Sequence, residues 1–343
     1  MLSPGRPIRF ADDPDDLISV PDSADNPATN SDGSAVDEVA LFFERVKQCN
    51  DPIEMESLAR AVNRDLAPQQ LHDLYNRVKA LETSDLLEVF QSKATAWRLF
   101  LRSAGAAFKN TLITPFIRLL EAEEGTRDRK VLLVVFAGMK GEMFLPLGRF
   151  LLLMPKGKFD VLILSPGRGS DFPQGVQGAG SDLFEVCKYV DTYRGHYAGI
   201  ATLGQSMGGL YGLRAAVLLG LPVGISLAGR FTLLRRLDRG LEGVTGFDPL
   251  CACASRSGSS AVQPTLLAYY SADNPRDAAE ADKLAAMNPD VRRMPVADWD
   301  RHNVVIKMIG DGLMAPLFLD VYRIATAGRF ETDTPVKAVA IAS

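Results

Sequence analysis

The chain has 343 residues, more than the roughly 100–200 of an average domain, so one large core plus an accessory region is expected. Hydrophobic residues make up 47% and charged residues 23%, the balance of a globular chain rather than a disordered one. A net charge of −4 argues against a nucleic-acid partner, which normally meets a basic stripe. Cys49, Cys187, Cys251 and Cys253 are too few for a disulfide scaffold in a chain this long. The start, MLSPGRPIRFADDP, has no apolar secretory core, so a cytoplasmic location is expected. The longest apolar stretch, Ala215 to Gly229, is broken by Gly220 and Pro222, so no membrane span is expected.

Residues 1–35 are rich in Asp, Pro, Ser and Asn and read as a disordered acidic tail, because they have little apolar surface to bury against their ordering entropy. From Val36 the pattern turns helical. Asp51-Pro52 places a cap before a proline at the first helical position, with Glu54 completing a capping box. Ala67-Pro68 opens a second helix, and Asp85 with Glu88 a third. Residues 36–105 thus read as a small helical bundle, and 36–125 as a helical accessory region with no recognisable chemistry of its own.

Near Lys130 the texture changes to short apolar runs: Val131–Phe136, Val161–Leu164, Ala198–Leu203, Val223–Leu227, Thr265–Tyr270 and Arg293–Ala297. Runs of this length suit strands buried on both faces. The gaps hold helical patterns at Glu142–Met154, Ser181–Tyr189, Met207–Leu219 and Arg276–Met287, with Asn303–Ile324 last. The alternation predicts an α/β fold, a mainly parallel sheet with helices on both faces, over about 126–330, followed by a tail at 331–343. Sites in such sheets lie beyond the carboxyl ends of the strands.

At one such end stands Gly204-Gln205-Ser206-Met207-Gly208-Gly209, with a helical pattern after it. This is G-x-S-x-G between strand and helix. The nucleophile of such a motif sits on a tight turn, so the residues two positions away must lack side chains that would collide. The amide of Met207 then lies at the positive end of the helix and can bind an oxyanion.

With these residues the sequence resembles the α/β-hydrolase superfamily of serine esterases, lipases and thioesterases over about 126–330. The first two of the family's eight strands are not recognised, so Val131–Phe136 and Ala198–Leu203 correspond to its third and fifth. The resemblance implies a triad in the order Ser, acid, His. Of the histidines His72, His196 and His302, only His302 follows Ser206, and it is the expected base. The acid is expected at Asp273, in Ser271-Ala272-Asp273-Asn274-Pro275 after the strand Thr265–Tyr270. Asp277 is the competitor, expected instead to stabilise the start of the next helix. The second oxyanion amide is assigned to Met139, with Lys140 in reserve, in the loop Phe136-Ala137-Gly138-Met139-Lys140-Gly141.

Residues 230–262 occupy the place of the family's lid; Arg230, Arg235, Arg236 and Arg239 there are read as a solvated helix face. Cys251 and Cys253 lack a His/Cys pair at zinc spacing and read as thiols without a metal. Arg168 is expected near the pocket mouth, without a role. The resemblance implies hydrolysis of a small acyl ester or thioester through an acyl-enzyme, with no cofactor. Acyl transfer by the same triad, and a non-catalytic role in which the N-terminal helices bind a protein partner, stay open as alternatives.

Overall fold

Alternate residues of a strand face opposite sides, so a run apolar at every position requires cover on both. Val131–Phe136 (β3) meets that requirement: Val131, Leu133 and Val135 pack in one apolar layer, and Leu132, Val134 and Phe136 in the other, all fully buried. The computed structural model describes residues 37–81, 87, 90, 108–138, 141, 143–166, 172–230 and 264–327. The other strands are Phe108–Thr114 (β1), Ile117–Ala122 (β2), Phe159–Leu164 (β4), Gly199–Gln205 (β5), Val223–Leu227 (β6), Thr265–Ser271 (β7) and Val291–Val296 (β8).

They form an eight-stranded sheet in the order β1-β2-β4-β3-β5-β6-β7-β8. β2 runs antiparallel to both β1 and β4, and every other pair is parallel. β3 is central, with Leu133 opposite Val161 of β4 and Ala201 of β5. The six strands expected from the apolar runs are present, with ends moved by one or two residues in several cases.

The order departs from expectation at 108–122. That stretch was assigned to the helical accessory region, whereas it forms the β1–β2 hairpin and carries the sheet's antiparallel edge. The physical reason is composition. β1 reads FKNTLIT, so it shows none of the apolar continuity of the central strands, and most of it is half-buried or exposed.

The helices Leu147–Leu152 (α4), Leu183–Asp191 (α5), Gly208–Leu218 (α6), Pro275–Met287 (α7), Val304–Gly310 (α8) and Met314–Thr326 (α9) cover the sheet. Phe150 of α4 and Phe318 of α9 meet edge to face in one layer, with centroids 5.7 Å apart. Leu210 and Leu213 of α6 and Val186 of α5 fill the other layer. The single final helix expected over Asn303–Ile324 is two helices. Gly312 adopts φ 70°, the Leu313 amide bonds to Met308 O (2.8 Å) and the Gly312 amide to Ile309 O (3.0 Å). That is a Schellman stop, which a left-handed glycine makes possible.

Before the sheet come Glu38–Gln48 (α1), Pro52–Asp65 (α2) and Pro68–Lys79 (α3). Asp37 caps α1 through the Val39 and Ala40 amides, and Asp51 caps α2 through the Ile53 amide. Val39, Phe42 and Val46 on α1, with Met55, Leu58 and Val62 on α2, give these helices their own apolar cluster at helical spacing. A polar network ties them to the hairpin. Arg118 of β2 donates to Glu38 at 3.0 Å, and Asn110 of β1 donates to Glu38 at 3.0 Å and to Gln70 at 2.7 Å.

The helix start at Asp85/Glu88, the acidic tail, the C-terminal tail, Arg168, Cys251, Cys253 and, apart from Arg230, the lid segment lie outside the described residues. Among the described residues no helix is long and apolar enough to cross a membrane, and no cluster of three or more His, Cys, Asp or Glu suits a metal.

Candidate active site

β5 ends at Gln205, and the chain turns into α6 within two residues. Ser206 makes that turn at φ 49°, in the left-handed region that side chains other than Gly rarely adopt. Such a residue costs about 1–3 kcal/mol and persists only where its surroundings hold it. Here they do: the Ser206 amide donates to Leu227 O (2.9 Å), and its carbonyl accepts from the amides of Gly209 and Arg230 (both 3.0 Å). A Cβ on Gly204 would collide with the carbonyl of Gly208, and one on Gly208 with the carbonyls of Phe136 and Ala137. Both glycines are therefore required by close approach, as the motif's spacing implies.

Ser206 Oγ lies 2.9 Å from His302 Nε2. His302 Nδ1 lies 2.9 and 3.1 Å from the two oxygens of Asp277. An ionised carboxylate only accepts, so Nδ1 carries the proton toward Asp277 and leaves the Nε2 lone pair for the Ser206 hydroxyl. The Asp277 side chain is 1% exposed and that of His302 23%, so the carboxylate is buried while the imidazole keeps partial access to solvent.

Asp273 is not the partner of His302. Its carboxylate accepts from the Trp299 amide (2.9 Å), and its own amide donates to Trp299 O (3.3 Å). The same loop is braced by Ser271, whose hydroxyl donates to Trp299 O, and by Asn274, whose side chain donates to Asp300 O (3.1 Å). Asp273 thus steadies the segment that carries His302. Asp277 does lie in the first turn of α7, as its spacing predicts, but Asn274 performs the capping by accepting from the Arg276 and Asp277 amides. The Asp277 side chain turns inward to the imidazole instead. The cue was in Asn274-Pro275, which sets the helix start and places Asp277 two residues after its first position.

Met207 occupies the N-cap position of α6, with its side chain buried. Met139 and Lys140 lie outside the described residues. His196 is exposed in a 3₁₀ turn before β5, at the opposite end of that strand from Ser206, and His72 is exposed on α3. Two residues of the site went unnoticed in the sequence. Gln205 Oε1 accepts from the Phe144 amide at 2.6 Å, and Asn303 Nδ2 donates to Phe144 O at 2.8 Å.

No family model matches the chain, and no curated protein matches it. Solved structures with a similar chain course include the 2,6-dihydroxy-pseudo-oxynicotine hydrolase (13% identity, 84% of this chain and 87% of that one, TM-score 0.46). Others are an esterase from Pyrobaculum calidifontis (16% identity, 76% and 98%, TM-score 0.41) and a lidless α/β serine hydrolase from Xanthomonas campestris (20% identity, 65% and 97%, TM-score 0.40). The strand order, the antiparallel second strand and the left-handed serine between β5 and α6 define an α/β-hydrolase fold in this chain on their own terms.

Proposed function

We propose that this chain is a serine hydrolase that cleaves a carboxylic ester or thioester of small-molecule size through Ser206, His302 and Asp277. The observation that carries the reading is the unbroken line of contacts from Ser206 Oγ through His302 to Asp277, mounted on a left-handed turn. A serine hydroxyl needs a base to become a nucleophile, and the base needs a carboxylate to fix its tautomer.

In this mechanism Ser206 Oγ attacks the acyl carbon while its proton passes to His302 Nε2. Asp277 steadies the imidazolium. The oxyanion forms beside the Met207 amide at the start of α6, where the helix dipole favours negative charge. A second amide from the loop after β3, assigned to Met139, would complete the hole. His302 then gives its proton to the leaving alcohol or thiol, and the carbon–oxygen or carbon–sulfur bond breaks. Water attacks the acyl-enzyme with His302 again as base, which releases the acid and restores Ser206. The serine proton leaves with the alcohol or thiol and the water supplies its replacement, so the cycle consumes one water and needs no cofactor.

The test is hydrolysis of 4-nitrophenyl acyl esters of graded chain length by the full chain. Saturable turnover that Ser206→Ala removes is the expected result. Equal turnover by wild type and Ser206→Ala would contradict the proposal.

A further inference from the structure

Gln205 is the residue before the nucleophile, and Asn303 is the residue after the base. Their side chains converge on the backbone of one residue, Phe144, through the peptides on either side of it. Gln205 Oε1 accepts from the Phe144 N–H at 2.6 Å, and Asn303 Nδ2 donates to the Phe144 C=O at 2.8 Å. Gln205 is 1% exposed, and a side-chain amide buried that fully requires partners. Asn303 is itself held, since its own carbonyl accepts from Trp299 Nε1 at 3.0 Å.

Phe144 follows the loop that leaves β3 beside the nucleophile. Ala137, just after β3, is fixed by its amide on Leu164 O (3.0 Å), and Gly208 leaves no room for a Cβ beside the Phe136 and Ala137 carbonyls. Phe144 is fixed by the two side chains on its own N–H and C=O. The Phe144 ring in turn stands edge to face with His302, with centroids 5.3 Å apart and planes at 87°. Phe144 is therefore tied through its backbone to the end of β5 and to the residue after His302, and through its ring to His302 itself.

We infer that Gln205 and Asn303 are positioning residues that grip the Phe144 backbone on both sides and so set the His302 ring relative to Ser206. The inference rests on the serine-hydrolase reading above. Neither side chain needs to touch substrate: their effect passes through Phe144, and it falls on the geometry of the reacting groups rather than on substrate affinity. Misplacement of reacting groups by about 1 Å is enough to lower a rate a hundredfold.

Three variants of the full chain test this with 4-nitrophenyl butyrate. Gln205→Met keeps the side-chain length and removes the acceptor. Asn303→Leu keeps the volume and removes the donor. The third combines both. Each single change should lower kcat by about tenfold to a hundredfold with KM within about twofold, the pattern of an interaction that matters in the transition state. Because both act through one residue, the combined loss should stay within about threefold of the larger single loss instead of being the product of the two. Thermal melting establishes that each variant is folded, and should Gln205→Met not fold, the half-exposed Asn303 decides alone. Wild-type kcat in folded Asn303→Leu, or losses that multiply in the double variant, would overturn the inference. Were Ser206→Ala inactive while both folded variants turned over normally, this inference would fail and the hydrolase reading would stand. Were Ser206→Ala active, the reading beneath it would fail as well.

Discussion

Replacing Asp277 by Asn leaves the shape of the site intact and changes one property, the sign of what faces His302 Nδ1. The carboxylate lies within 3.1 Å of that nitrogen through both oxygens, and its 1% exposure leaves no path for water to substitute. The introduced amide can turn its NH2 toward Nδ1. The imidazole proton then moves to Nε2, which faces Ser206 Oγ at 2.9 Å and can no longer accept. In serine triads this change of tautomer lowers kcat by about 10⁴, which corresponds to about 5.5 kcal/mol of barrier. Asp273→Asn is the matched control. It keeps an oxygen for the Trp299 amide, the only hydrogen bond recorded for the Asp273 carboxylate among the described residues, so kcat should stay within about threefold of wild type. Steady-state hydrolysis of a 4-nitrophenyl ester, normalised to folded protein, reads both. A loss in Asp273→Asn matching that in Asp277→Asn, or near wild-type kcat in folded Asp277→Asn, would refute the reasoning.

His302→Ala should abolish turnover, since among the described residues no other group lies within hydrogen-bond reach of Ser206 Oγ to take its proton; His196→Ala should leave the rate near wild type, and equal damage from both would sink the strand assignment. Asp160 is fully buried and bonds Lys130 Nζ (3.0 Å), Tyr197 OH (3.1 Å) and the Ala122 amide (2.8 Å), so Asp160→Ala should cost about 3–5 kcal/mol in urea unfolding by stranding the ammonium. A loss below about 1 kcal/mol would show that the pair is not sealed from water. Burial pushes the Cys187 thiol on α5 from 9.0 up to about 12, so iodoacetamide at pH 8 should modify it only in urea. The same shift means that its contribution to stability is complete below pH 9 and is lost as pH rises toward 12, because the unfolded thiol ionises first; rapid labelling of the native protein would contradict both statements.

The parts of this fold that read clearly in the sequence are those whose physics is local. β3, β4 and β6 are buried on both faces and carry only Asp160 and Ser226 as polar breaks, and Gly204 and Gly208 are dictated by a turn only a few residues long. β1 was illegible because an edge strand is half solvated. Its Asn110 is there to bind Glu38 and Gln70 of the helices, which composition does not announce. Spacing does not tell Asp273 from Asp277, for a related reason. Both lie at the right distance along the chain, and the decision falls to Asn274: once its side chain caps α7, the Asp277 carboxylate is available to His302 and Asp273 is left to the Trp299 loop. Gln205 and Asn303 are further still from legibility, because what they share is a residue, Phe144, 61 positions from the first and 159 from the second.

The central claim is that Ser206 is the nucleophile. A fluorophosphonate probe reacts with an activated serine and carries its label to the peptide that holds it. Wild-type protein should be labelled on the peptide containing Ser206, and Ser206→Ala should carry no label while its melting curve stays two-state. In parallel, turnover of the 4-nitrophenyl ester should fall to the residual about 10³–10⁴ over water that binding and the oxyanion hole supply without a triad. A label that persists in Ser206→Ala, or one that maps to another serine in the wild type, would contradict the account.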